Sequence, residues 1–346
     1  MNSLPSRIAA VLLGVLFALT AYAPGVRAEA ERMEEEQQET RYLVPVGHTV
    51  GVKLFAEGVL VVGLSDGETP AKESGLREGD ILLTFNGTEV DSTEHLQRLL
   101  TENGASRATM GVRRGMKTLA LPVTPETGED GKVRLGAWIR DSMAGIGTMT
   151  FYDPQSGLFG ALGHGVTDVD TGALMPLHSG SIMDATVKAV KHGASGSPGE
   201  LRGSFDLTRD SGSLTANTSC GLFGTLTGES NAITTQRAVP VAKRGEIRTG
   251  RATILANVGG DEVCEYEVEI ERVYSAASPT RNMLVRVTDP ELLEKTGGIV
   301  QGMSGSPILQ DGRLVGAVTH VLVNDAARGY GIFIENMLSA AEGKAG

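Results

Sequence analysis

From residue 133 to the C-terminus the chain is a succession of short β-type runs closed by turn residues, and few folds accommodate such a pattern. The runs fall at 147–152, 253–258, 263–274, 283–287, 313–323 and 330–334, and only 335–343 has helical character. Glycine supplies the turns: 46 of 346 residues is nearly twice the usual ~7%, and no Gly-X-Y period turns the surplus into collagen. Residues 126–346 are therefore expected to form a β-barrel or double barrel, making the chain mainly β. At roughly 150 residues per domain the length points to two domains. An apolar share of 40% and a mean hydropathy of −0.04 set the chain among globular rather than disordered or multi-span proteins.

Upstream the pattern changes. Arg7 precedes an apolar run over residues 8–23, and Val26-Arg27-Ala28 offers small residues for cleavage, so residues 1–28 read as an export signal. The run falls slightly short of the ~20 residues that cross a bilayer, which leaves cleavage and retention as an anchor both open. Residues 29–42 are polar and acidic, a linker or processing region. The rest is expected outside the cytoplasm, where Cys220 and Cys264 have the option of pairing. Neither cysteine sits in a CxxC or close to a histidine in sequence, so no metal site is expected. The net charge of −11, with no Lys/Arg-rich stripe, argues against nucleic acid as a partner.

Residues 43–125 are expected to form a separate α+β domain. β-type runs at 50–54, 59–62 and 80–85 precede a helix over 93–102, capped by Asp91 and Ser92 and stopped by Asn103-Gly104; a strand pair at 108–113 and 117–123 follows. Within it, Ser74-Gly75-Leu76-Arg77-Glu78-Gly79-Asp80-Ile81-Leu82 and then Phe85-Asn86-Gly87 resemble a bacterial PDZ domain. The resemblance implies that a peptide terminus adds as a strand beside the helix, its carboxylate held by N–H groups of a glycine-containing loop. Gly51-Val52-Lys53-Leu54 fits that loop best.

The chemistry centres on Gly302-Met303-Ser304-Gly305-Ser306-Pro307. A serine hydroxyl is a poor nucleophile without an adjacent base and N–H donors aimed at the developing oxyanion. Glycines on both sides let the backbone present the Ser304 hydroxyl and turn the N–H groups of Gly302 and Ser304 the same way. The motif and the hairpin after it resemble the Gly-x-Ser-Gly-Gly-Pro region of chymotrypsin-like proteases, which would place Thr319 and His320 in the substrate pocket. A near copy, Gly193-Ala194-Ser195-Gly196-Ser197-Pro198, enters a polar turn, so Ser304 is preferred to Ser195. Among six histidines, His48 and His95 fall in the first domain, where surface placement is simplest, and His178 and His192 in polar, glycine-rich contexts. His164 sits where an apolar run meets a glycine-flanked turn and is the candidate base. For the orienting carboxylate, Asp168, Asp170, Asp289 and Asp325 all stay open; strand-end placement favours Asp289.

Three stretches together are similar to one family: residues 163–172, 297–307, and 316–325 with Gly329-Tyr330-Gly331. It is the stage IV sporulation protein B peptidase family, with segments at 45–63 and Pro198-Gly199-Glu200-Leu201 adding to the likeness. The resemblance implies an export segment, a PDZ domain and a chymotrypsin-like double-barrel serine peptidase, with His164, Asp289 and Ser304 as the triad and no cofactor. In chymotrypsin the Asp lies far upstream of the Ser, whereas Asp289 shortly precedes Ser304, so that assignment rests on the family. The resemblance also implies export into the space between the two forespore membranes and self-cleavage near the N-terminus. Its implied substrate is a membrane-bound regulatory protein, whose loss frees an intramembrane protease to activate a late sporulation sigma factor. The alternative is an exported PDZ scaffold without activity.

Overall fold

The structure is a computed structural model that describes residues 40–206, 208–227, 237–274 and 279–343. The export segment and most of the acidic linker lie outside the described residues, and no described helix is long and apolar enough to cross a membrane.

The chain begins with β1 (Tyr42–Pro45) and the long strand β2 (Thr49–Leu64), which serves two modules in turn. After β2 come α1 (Pro70–Glu73), β3 (Ile81–Phe85), β4 (Thr88–Glu89), α2 (Thr93–Asn103), β5 (Ala108–Arg114), β6 (Lys117–Val123), β7 (Glu126–Thr127) and β8 (Val133–Arg134). These elements pack the PDZ-like core, with Val61, Leu82, Phe85, Leu96 and Met110 at its centre and Val133 and Leu135 closing it. The Gly-Asp turn has a physical cause: the buried Asp80 carboxylate accepts from the Arg77 N–H at 2.8 Å and from Arg114 Nε and Nη2 at 2.7 and 2.6 Å. Ser92 caps α2 by accepting from the His95 N–H.

The chain then returns through β9 (Ala137–Tyr152) to a first barrel completed by β10 (Leu158–Ala161), β11 (Leu177–Lys191), β12 (Glu200–Phe205), β13 (Gly212–Thr218) and β14 (Gly221–Leu226). The pairings β2–β9–β10–β14–β13–β11 close back on β2, all antiparallel, around Leu54, Met149, Phe159, Ile182 and Leu222. β15 (Val239–Pro240) leads to the second barrel: β16 (Gly250–Ala256), β17 (Cys264–Val273), β18 (Met283–Val287), α3 (Pro290–Thr296), β19 (Pro307–Gln310), β20 (Arg313–Leu322) and β21 (Asp325–Phe333), followed by α4 (Ile334–Ala341). Its six strands close in the order β16-β17-β18-β21-β20-β19 over Ile254, Val268, Ile270, Met283 and Phe333.

The double barrel and the PDZ-like module are as expected, but the domain boundaries are not. The module is inserted between β2 and β9, not strung before the barrels as residues 43–125. β1 and residues 49–56 of β2 belong to the first barrel; residues 59–64 of β2, past a bulge, pair with β3 and with the beginning of β9. Gly51, Val52, Lys53 and Leu54 therefore cannot form the peptide-holding loop. They pair with Met183, Ile182, Ser181 and Gly180 on one edge and with residues 143–146 on the other, which leaves no edge for a peptide. Cys220 and Cys264 are separate thiols, the first buried among Phe151, Phe223 and Met337 and the second packed on the second barrel's core.

Candidate active site

His164 follows β10 on a tight turn in which Leu162 and Gly163 both take φ of 68°. A Cβ on Gly163 would lie 3.0 Å from Thr319 Cγ2 and 3.1 Å from Ile332 Cγ2, so glycine lets this turn of the first barrel come up against the second. The His164 Nδ1–H donates to the Gly165 carbonyl at 2.9 Å, which leaves Nε2 as the basic nitrogen. Burial pushes the imidazole pKa down, against the opposing effect of the Gly165 bond, and favours the neutral ring.

Ser304 comes from the loop between α3 and β19. The buried Met303 side chain anchors this loop, and bonds from the Met303 N–H to Val300 O and from the Ser306 N–H to Met303 O shape it. The first barrel holds the same loop from the other side: the Thr148 N–H donates to Ser304 O at 3.0 Å, and the Thr148 hydroxyl to Gly302 O at 2.7 Å. Gly305, at φ 100°, sits so close that a Cβ would fall 2.0 Å from Thr148 O. The N–H groups of Gly302 and Ser304 have no acceptor among the described residues. The Ser304 hydroxyl donates to the Thr319 carbonyl at 2.7 Å.

One cavity of ≈ 540 Å³ takes in both groups, with Met143, Val166, Val300 and Val321 giving it a mostly apolar lining. Thr319 and His320 lie in its wall. Thr319 is buried, its hydroxyl shared between the carbonyls of Thr280 and Tyr330. The His320 ring stands 4.9 Å from that of His164, tilted by 36°, and its buried Nδ1 has no hydrogen-bond partner. Burial first, then His164 and Arg281, push the His320 pKa down to about 4.

Asp289 is not brought to this cleft. It is the N-cap of α3, accepting from the Glu291 and Leu292 N–H groups at 2.9 and 3.0 Å and from the Glu267 N–H at 3.2 Å. The correction has a local reason: Asp followed by Pro290 and Glu291 starts a helix, because proline suits the first helical position and a carboxylate satisfies its free N–H groups. Asp168, unlike the half-buried Asp289, is buried. Burial alone would raise its carboxyl, but the Thr171 N–H and hydroxyl and Arg140 hold it below the ordinary range. Together with Asp170 it ties the loop after His164 to Arg140 of β9. Asp325 pairs with Arg328. A backbone carbonyl thus holds the imidazole where a carboxylate was expected.

Ser195 lies apart from the cleft. Its hydroxyl donates to Asn324 O and the Gly196 N–H to Val323 O, so the second motif clasps the β20–β21 hairpin. His48, expected at the surface, is buried, its Nδ1–H donating to Thr49 O. Two residues that sequence reasoning missed support the Ser304 loop. These are Thr148, described above, and Leu201, whose N–H donates to Gln301 O while its side chain packs beside Gly302. Nothing in the local sequence marks Thr148, and Leu201 stands out only as the end of the family-like Pro198-Gly199-Glu200-Leu201 segment, with no sign of its role.

The sequence profile for the SpoIVB peptidase S55 family matches residues 131–338, and that for a PDZ domain matches 62–114. Among individual proteins, serine protease HTRA1 of Xenopus laevis is 36% identical over 59 residues, 17% of this chain and 12% of that protein. The regulator of sigma-W protease RasP of Bacillus subtilis is 31% identical over 98 residues, 28% of this chain and 21% of that protein. The chain thus spans only a small part of either relative. The active form of the Rv3671c protease from M. tuberculosis aligns over 59% of this chain and 75% of its own, at 16% identity and a TM-score of 0.33.

Proposed function

Because the chain belongs to the SpoIVB peptidase S55 family, we propose that it is a serine endopeptidase with Ser304 as nucleophile and His164 as base. The observation that carries this reading is the meeting of the two groups in one cleft from different barrels, beside two N–H groups that have no acceptor among the described residues. At rest the Ser304 hydroxyl is turned to Thr319 O; the reactive rotamer swings it toward His164. Its oxygen attacks the scissile carbonyl carbon while its proton passes to His164 Nε2, and the Gly302 and Ser304 N–H groups receive the oxyanion. His164 returns the proton to the leaving amine. A water activated by the same imidazole then releases the acyl group. Gly165 O fixes the tautomer that this sequence needs, and Asp289 takes no part.

The family supports a finer reading: export into the forespore intermembrane space by way of residues 1–28, self-cleavage within residues 34–41, and cleavage of a membrane-bound regulator of sigma-factor processing. The test is intact-mass analysis over time of protein starting near Glu29. Wild type, Ser195→Ala and Asp289→Ala are expected to shorten and Ser304→Ala to stay whole. Trimming that persists in Ser304→Ala overturns the nucleophile. A wild type that cleaves neither itself nor an unfolded protein substrate favours the inactive scaffold.

A further inference from the structure

We propose that β9 binds substrate along its second edge, on a track that runs from the catalytic cleft to the PDZ-like module. This rests on the peptidase reading above. β9 is one strand of 16 residues whose first edge pairs with β2 along residues 137–148, first inside the inserted module and then inside the barrel. Its second edge meets β10 only from Met149 onward, β1 lying beyond β2 on the first edge, and over residues 137–147 no described strand pairs with the second edge.

The exposure of the strand fits an open edge. Trp138, Ser142, Ala144 and Gly145 are exposed, Trp138 to 66%, in a strand that is fully buried from Gly147 to Phe151. Residues 143–146 line the cavity that holds Ser304 and His164, so a chain lying in the cleft already touches this edge. The two charged side chains of the stretch are occupied elsewhere: Arg140 by Asp168 and Asp170, and Asp141 by the N–H and hydroxyl of Thr93 at the start of α2. Unpaired backbone groups with no unpaired charge beside them suit an extended, uncharged polypeptide segment added as a strand.

Polarity follows from the direction of β9, which runs from the module toward the barrel. An antiparallel partner runs the opposite way, so the residues after the scissile bond extend toward the module. From Ile146 to Ala137 is about 30 Å at ~3.3 Å per residue, room for roughly nine residues. The module then contributes length to the substrate track through β9, not through Gly51, Val52, Lys53 and Leu54.

The test begins by digesting reduced, carboxymethylated casein and mapping the cuts by mass spectrometry. Peptides spanning the best cut site are then made with four or ten residues after the scissile bond, and the ten-residue form also with N-methyl groups at alternate positions. The longer peptide is expected to have about tenfold higher kcat/KM, a gain that N-methylation removes because it deletes strand-pairing N–H groups. Bound to Ser304→Ala, it is expected to slow amide exchange within residues 138–146 beyond the short peptide's effect. Ser304-dependent cleavage that is indifferent to this length, or a gain from residues before the scissile bond instead, overturns the track and leaves the peptidase standing. Casein left uncut by a wild type that also fails to shorten itself overturns both; if only self-cleavage occurs, its site supplies the peptides.

Discussion

Replacing Asp289 by alanine separates two roles that predict opposite results. As a helix cap, the carboxylate accepts three backbone N–H groups, from Glu291, Leu292 and Glu267. Losing a cap costs about 0.5–2 kcal/mol, and one further hydrogen bond is worth about 1 kcal/mol net. The site is half-buried, so water replaces part of the loss and the expected cost is roughly 1–2 kcal/mol. In a urea titration this lowers the midpoint and leaves the slope unchanged. Peptide cleavage, measured well below the transition, keeps kcat within about twofold, since α3 begins away from the cleft and the Met303 anchor of the Ser304 loop is untouched. A carboxylate that orients the catalytic imidazole behaves differently, its loss lowering kcat about 10⁴-fold in the Ser-His-Asp enzymes that serve as the general template. A drop of that size with an unchanged urea midpoint would refute the cap assignment and restore Asp289 to the triad.

Three further outcomes follow from the cleft. Burial holds both His164 and His320 below the ordinary histidine pKa, so the acid limb of kcat/KM is expected below pH 6.5; a limb at or above 6.5 contradicts the buried imidazole pair. For stability the sign is set by His320: between its unfolded value near 6.5 and its folded value of about 4 the unfolded chain binds the extra proton. Stability therefore falls as pH drops through that window, and His320→Phe is expected to flatten this part of a melting-temperature profile. Gly305→Ala places a Cβ 2.0 Å from Thr148 O on a backbone with positive φ; displacing Ser304 by about 1 Å is expected to cost about 100-fold in kcat/KM, and full activity in this variant would show the loop to be less constrained.

The parts of the molecule legible in the sequence were those fixed by local rules. The α2 helix is readable from its Ser92 cap and its Asn103-Gly104 stop, and β18 from a short apolar run that only Arg286 interrupts. Ser304 and His164 were readable because glycine-flanked turns are needed to present them. What failed depended on partners distant in sequence. Residues 137–146 of β9 carry Arg, Asp, Ser and Gly on a half-open edge and show no alternation, so only 147–152 looked like a strand. Asp289 reads as a strand-end carboxylate although its Asp-Pro-Glu signature is local, because only two residues separate the end of β18 from the start of α3. The insertion was hidden for another reason: β2 reads as two β-type runs, and nothing in either says that they belong to different modules.

That insertion changes how the PDZ-like module is coupled to the barrels. A domain joined by one linker can swing, and one cut releases it. This one is joined by β2 and β9, which pair with each other along the way out and back, like two rails tied together. A nick in either connection leaves the module fastened by the other, and a fragment of residues 43–125 carries away the first barrel's own strand while leaving the edge at 59–64 without β9. Rotation of the module must bend the same pair of strands that line the cleft, so its orientation and the shape of the cleft are mechanically one variable.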